Sequence, residues 1–346
     1  MDAASPGFLA FSMSAAPIRR AALFCALAEV NSGPDRLAEQ LRAQPPNPQQ
    51  LGIDPLTSIA QSLMTLRARD VIVALYSTAP EGVLGILRRM GLIEQPFSHP
   101  VLYDRLFRIL LDPAAGFRAD ALRRLEKIGA GHVRTAAVLD RVLVSPEMLR
   151  IVSGIEEAHT LNATLALIRR LCPTAATDEA IRASIRAMTP TTRLSAWVSR
   201  WIARAERLPH DRAPIEDHDF RILASAQEVR ETAARFKNCL RTLLPEIALG
   251  RKLFLEYRPA AALVELVPLS DGHWLSEGVY IASNKSVSPE LRQEIRDKLT
   301  ASGILIYARH VRGGASQHRV AKLVGIYDYG YGLGGDEDVL ADLETA

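Results

Sequence analysis

A thiol, a carboxylate and an imidazole that could form a nucleophilic or acid–base site lie in one stretch, His218 to Asn284: Cys239, Glu265 and His273. Cys239 would need thiolate character and solvent access to attack an electrophile. Lys237 and Arg241 are neighbouring cations that could assist it, and His210, His218 and His273 are candidate bases that only the fold can bring close. Glu265 stands between Val264 and Leu266, so in a strand its side chain points away from theirs. It could then serve acid–base chemistry, face solvent, or pair with Arg241 or Arg258, as could Glu256 one strand earlier; an inward carboxylate is costly unless paired. Asn284, in Ser283-Asn284-Lys285-Ser286, either shapes a turn or orients a ligand beside a helix starting near Pro289, where an anion could bind. The candidate catalytic set is Cys239, Glu265 and His273, and the ligand-binding set is Arg241, Glu265 and Asn284. Packing competes with chemistry at each: a Cys on an amphipathic helix, a structural salt bridge, a plain turn.

A second grouping is electrostatic. Arg309, Arg312, His318, Arg319 and Lys322 make the most basic local segment, and Tyr307, Tyr327, Tyr329 and Tyr331 accompany them. Cations interleaved with aromatic rings suit single-stranded nucleic acid or RNA, whose bases stack on rings while phosphates meet the cations. A solvated loop beside core tyrosines is the alternative. His310, His318 and Asp328 have no recognised metal spacing, and Gly330, Gly332, Gly334 and Gly335 form no phosphate-binding fingerprint. No metal and no cofactor is expected. The doublets Arg88-Arg89, Arg123-Arg124 and Arg169-Arg170 read as helix-end charges, with a shared phosphate groove as the sharper alternative.

The elements that must position these residues fall into two parts. Residues 17–208 carry successive apolar stripes at helical spacing, broken by Pro and Gly, with Ser145-Pro146 reading as an N-cap and first helical residue. Segment lengths vary and no signature recurs, so no repeat family is assigned. Trp197 and Trp201, four apart, share a helix face that docks onto the chain, binds a partner or stacks bases. Residues 1–16 read as a flexible arm, 209–218 as a linker, 219–331 as a mixed domain and 332–346 as an acidic tail. Within the mixed domain a helix from Ser225 runs towards Gly250, with Pro245 ending or kinking it; Ser225 and Glu228 match a capping box. Strand-like runs at 252–257, 261–268 and 273–282 follow, then a helix from Pro289 and another run at 304–311. The expected class is α+β: an amino-terminal all-helical domain and a smaller mixed domain with an antiparallel sheet packed against helices.

The 346 residues allow a sizeable core, and a net charge of +3 is too small to make the whole surface a nucleic-acid footprint. The three cysteines are odd in number and far apart, which argues against a disulfide framework and points to a reducing, cytoplasmic setting. The start lacks a basic region ahead of its apolar residues, and no apolar run is long enough for a membrane span, so neither signal peptide nor membrane partner is expected.

Residues 215–303 resemble the carboxy-terminal domain of the PcfJ-like proteins, a family associated with conjugative plasmids and phages. The residues that carry the resemblance are Cys239-Leu240 on a helix, Gly250 ahead of the strand LFLEY, Glu265 in ALVELV and Asn284 in YIASN. Asn238 stands where the family often has His, Glu277 where Gln is common, and Leu243-Leu244 where an aromatic is usual. The resemblance implies a link to mobile DNA and supplies no enzyme reaction. The leading functional expectation is a non-catalytic binding or adaptor protein, with nucleic acid or a partner protein as its target. A cysteine-dependent enzyme using Cys239, and a protein–protein interaction subunit or effector, are the alternatives.

Overall fold

The computed structural model describes residues 6–32, 63–90, 100–152, 154–189, 191–209 and 215–306. They are α+β, with helices in the amino-terminal part and a five-stranded sheet in the carboxy-terminal part. The chain forms two compact units, 1–165 with 178–192, and 166–177 with 193–346.

The helices are α1 (Pro6–Ser14), α2 (Pro17–Ser32), α3 (Ala68–Tyr76), α4 (Val83–Met90), α5 (Pro100–Leu111), α6 (Gly116–Arg123), α7 (Ala130–Val138), α8 (Pro146–Ile151), α9 (Ile155–Leu171), α10 (Asp178–Arg186) and α11 (Leu194–Ile202). The first unit is built around α2, against which α1, α3, α4 and α5 pack. Every residue from Ala21 to Ala28 is buried, so this helix is apolar all round rather than on one stripe. Its alanines let neighbours approach closely, and its Cys25 thiol donates to the Ala21 carbonyl (3.4 Å) and is pushed up by burial, which leaves it inert. Residues Pro6–Ser14 are helical where a flexible arm is expected from sequence; Ser12 is buried, so tertiary packing overrides a composition that reads as loose. Ser145 caps α8 by accepting the Met148 N–H (3.1 Å), with Pro146 at the first helical position. Asn162 of α9 fastens the turn after α7, accepting from Asp140 N–H (2.8 Å) and donating to the Val138 carbonyl (2.9 Å).

In the second unit α11 buries both tryptophans. Cys172 donates its S–H to the Trp201 carbonyl (3.4 Å), and the Glu206 carboxylate accepts the N–H groups of Thr174 and Ala175. Buried rings cannot present a base-stacking platform, so the Trp197/Trp201 pair is core.

The sheet comprises β1 (Phe220–Ile222), β2 (Leu253–Tyr257), β3 (Ala262–Pro268), β4 (Trp274–Tyr280) and β5 (Leu305–Ile306), in that spatial order. The first four strands are antiparallel, and β5 adds parallel to β4. The sheet is therefore mixed, not wholly antiparallel. The helix α14 (Pro289–Ala301) intervenes between β4 and β5, and a strand that returns after a helical crossover lies parallel. β1 went unread in the sequence because three residues carry no period. On one face Leu253, Leu255, Tyr257, Val264 and Leu266 join Ile295 and Leu299 of α14 in an apolar cluster. Alternation turns Phe254, Glu256 and Glu265 to the other face.

The expected long helix after Ser225 is two: α12 (Ala226–Phe236) and α13 (Leu244–Ala248), with a 3-10 turn at Leu240–Leu243 between them. Ser225 caps α12 through the Glu228 N–H, and Glu228 reaches back to the Ala224 N–H (2.7 Å). The helix stops because Lys237 turns left-handed (φ 49°), after which Asn238 Oδ1 accepts the Leu240 N–H (3.1 Å). That local side-chain bond competes with helix continuation. Pro245 sits in the first turn of α13, where it is tolerated.

Replacing Trp201 with alanine should destabilise the second unit by about 3–5 kcal/mol, the usual result of emptying a fully buried indole site. Urea unfolding of wild type and Trp201→Ala measures it, and a change within about 0.5 kcal/mol would contradict the burial.

Candidate functional site

Cys239 lies in the turn between α12 and the 3-10 segment, not on a helical face, and it is exposed. Its carbonyl accepts from the Thr242 N–H (2.8 Å) and hydroxyl (2.7 Å). Among the described residues no histidine or carboxylate hydrogen-bonds its sulfur, and Arg241 is exposed and makes no ion pair.

Glu265 is buried, with 7% of its surface exposed, at the centre of a polar group on the face opposite the apolar cluster. The Lys252 ammonium lies 2.5 Å from its Oε1, 3.5 Å from Glu277 Oε2 and 3.9 Å from Glu246 Oε2 on α13. The Tyr280 hydroxyl donates to Glu265 Oε2 (3.2 Å). Two backbone features make this geometry. A bulge beside Glu265 pairs it with Gly278 and Leu266 with Ser276, leaving Glu277 as the extra residue between them. Gly278 then leaves room for the Tyr280 ring: a Cβ there would sit 2.2 Å from the Tyr280 hydroxyl oxygen and 2.5 Å from Cζ.

Electrostatics commits these groups to structure. Burial pulls the Lys252 pKa down, but the bond to Glu265 and the charges of Glu265, Glu277 and Glu246 outweigh it, so the amine is held protonated. Burial and then the Glu265 charge push the Tyr280 phenol up, keeping it a donor. A protonated amine is no nucleophile and a protonated phenol no base, so the group serves poorly as an acid–base centre.

Glu256, 4% exposed, is the second buried carboxylate of that face. Arg235 from the last turn of α12 approaches it with two nitrogens (2.5 and 3.1 Å), and Arg221, its register partner on β1, adds a third bond (2.8 Å). Burial pushes the Glu256 carboxyl up, yet Arg235 and Arg221 together hold it below its ordinary value. The expected partners, Arg241 or Arg258, are replaced by Arg221 and Arg235 for Glu256 and by Lys252 for Glu265. On the apolar face Tyr257 is pushed up to about 12 by burial and by donating to Glu294, and Lys298 bridges Asp217 (2.9 Å) and Asp219 (2.7 Å).

Two of the remaining predicted residues lie in turns at the two ends of β4. His273 sits 3.2 Å from Asp271 in the exposed β3–β4 turn, whereas Asn284 follows the far end of β4. That strand separates them by roughly 20 Å at the usual rise per residue. Ser283 (φ 62°) and Asn284 (φ 57°) are both left-handed in an exposed turn that packs on α12. His273 and Asn284 thus lie at opposite ends of β4. Arg309, Arg312, His318, Arg319, Lys322 and Tyr327 lie outside the described residues. Arg89 donates to the Arg123 carbonyl (2.5 Å), and Arg123 bonds Asp120 (2.9 Å) and the Glu81 carbonyl (3.1 Å), so these members of the arginine doublets close helix ends. Among the described residues no group of three or more His, Cys, Asp and Glu is placed to hold a metal ion, and no helix is long and apolar enough to cross a membrane. Comparison with protein-family models, curated proteins and solved structures gives no match.

Gly278→Ala should destabilise by about 1–3 kcal/mol through the clash with Tyr280. The same change in a Tyr280→Ala background should cost much less, and a double-mutant cycle without coupling would contradict the close approach of the ring to Gly278. The alkaline limit is the other outcome. Lys252, Tyr280, Tyr257 and Lys298 all have folded pKa values above their ordinary ones. Their contribution is complete below about pH 10 and is lost as pH rises through the folded values. Urea midpoints should therefore fall between pH 9 and 11.5, and a flat profile would contradict these pairings.

Proposed function

We propose that the protein is a non-catalytic binding protein that engages single-stranded nucleic acid through the segment following β5. One observation carries this reading: Leu305–Ile306, at the edge of the described sheet, is followed in the sequence by Arg309, Arg312, His318, Arg319 and Lys322, interleaved with Tyr307, Tyr327, Tyr329 and Tyr331. A sheet edge is a fixed point from which such a segment can track a strand of phosphates while tyrosines stack on bases. The buried acid–base groups of the sheet add support, since their pairing leaves little for catalysis. The resemblance of residues 215–303 to the PcfJ-like family agrees with a role near mobile DNA.

Filter binding of wild type and the Arg309→Ala/Arg312→Ala/Arg319→Ala/Lys322→Ala variant, across a salt series with single-stranded DNA and RNA, tests the proposal. Each phosphate contact removed should lower the slope of log K against log salt by about 0.7. No binding by wild type at low salt, or identical slopes, overturns it.

A second reading, a cysteine-dependent enzyme, is favoured by the exposure of Cys239. It requires a thiol more reactive than a free cysteine at neutral pH. Labelling of the folded chain with iodoacetamide decides it, because a rate no higher than that of free cysteine removes this reading.

A further inference from the structure

We propose that His132 is an acid-responsive cap for helix α7, so that mild acid loosens the first turn of this helix in the helical unit. The helix follows Gly129, whose backbone is extended (φ −104°, ψ 171°). His132 is its third residue, and its Nδ1 accepts the Gly129 N–H at 2.9 Å. In a full capping box the residue at Gly129 would return a side-chain bond, but glycine has none, so this cap rests on the imidazole. Accepting at Nδ1 requires the neutral ring with its hydrogen on Nε2. A proton on Nδ1 would set two donors against each other. It would also place positive charge in the first turn of a helix, against the macrodipole.

Among the described residues no carboxylate hydrogen-bonds the ring. α7 packs against α5, α6 and α8. Their charged groups are Asp104, Arg105 and Arg108 on α5, Arg118, Asp120 and Arg123 on α6, and Glu147 and Arg150 on α8. Arg118 is bonded to the Ala136 and Leu139 carbonyls at the other end of α7, and Arg123 to Asp120. Glu126 and Lys127 precede the turn, and Arg134 shares the helix. Among the described residues none of these hydrogen-bonds the imidazole. Burial lowers the ring's proton affinity, in keeping with a neutral cap. Because the folded state takes up the proton less readily than the unfolded, the cap's contribution is complete above about pH 6.5 and is lost as pH falls through the lowered folded value. The turn also reaches α4, since Ile128 N–H donates to the Arg89 carbonyl (3.4 Å).

The test compares wild type with His132→Gln, which keeps an acceptor that does not titrate, and His132→Ala, which has none. Hydrogen exchange of the Gly129–Val133 amides, corrected for intrinsic rates, is read at pH 7.5 and 5.0. Wild type should match His132→Gln at pH 7.5 and approach His132→Ala at pH 5.0, with about a fivefold rise in opening, the size of one lost cap. Parallel behaviour of wild type and His132→Gln at both pH values overturns the proposal. Should a variant fail to fold, NMR titration of the wild-type imidazole decides. A midpoint below the ordinary histidine value with the Nε2–H tautomer supports the cap, and a midpoint at or above it, or a proton on Nδ1 in the neutral ring, overturns it.

Discussion

A carboxylate inside a sheet has to be met by donors before helices can close over it, and this constraint shapes the second unit. Glu256 and Glu265 lie on the same face of adjacent strands, both buried. An unpaired charge there would cost several kcal/mol. The two are neutralised differently. Glu256 draws on two arginines whose heads remain partly in water, one from the edge strand and one from α12. Glu265 draws on a lysine deeper in the face and a phenol reaching along its own strand. Buried pairs add little net stability, but they penalise every arrangement that leaves a charge unmet. Their effect is to set where α12 and α13 can sit: a shift of either would strand Arg235 or Glu246 from its partner.

The two faces of the sheet therefore divide the work. The α14 side is held by apolar burial, with Tyr257–Glu294 and the Lys298 bridge at its rim. The opposite side also buries Phe254 and Leu263, and its charge pairs fix position more than they add stability. The helical unit follows simpler rules, with an all-round apolar helix at its centre and helix ends closed by arginine, serine and asparagine side chains.

Much of this was legible in the residues. Strand-like runs located β2, β3 and β4, and the Pro146 helix start follows from the freedom of a first turn to accept proline. The Ser225–Glu228 cap was equally plain. Other features were not local. β1 is too short for a period, and the parallel placement of β5 depends on where α14 crosses. The break after Phe236 turns on one left-handed lysine, which an apolar stripe does not announce. The site was least legible because its partners are set by register. Arg221 faces Glu256 only once β1 is paired with β2, and Glu277 turns towards Lys252 only through a bulge beside a glycine.

The Lys252 group also bears on how the chain folds. Its members, Glu246, Lys252, Glu265, Glu277 and Tyr280, come from one continuous stretch. The strands within it are joined by the short segments 258–261 and 269–273. Closing loops of this length costs little entropy, and contacts between near neighbours in sequence form faster than distant ones. The three central strands therefore carry a nearly complete set of their own counterions into the folding reaction. Glu256 instead awaits Arg221, which lies 35 residues back in the chain. The meander is thus able to assemble with its own counterions in place, whereas Glu256 is met only by Arg221 and Arg235 from outside it.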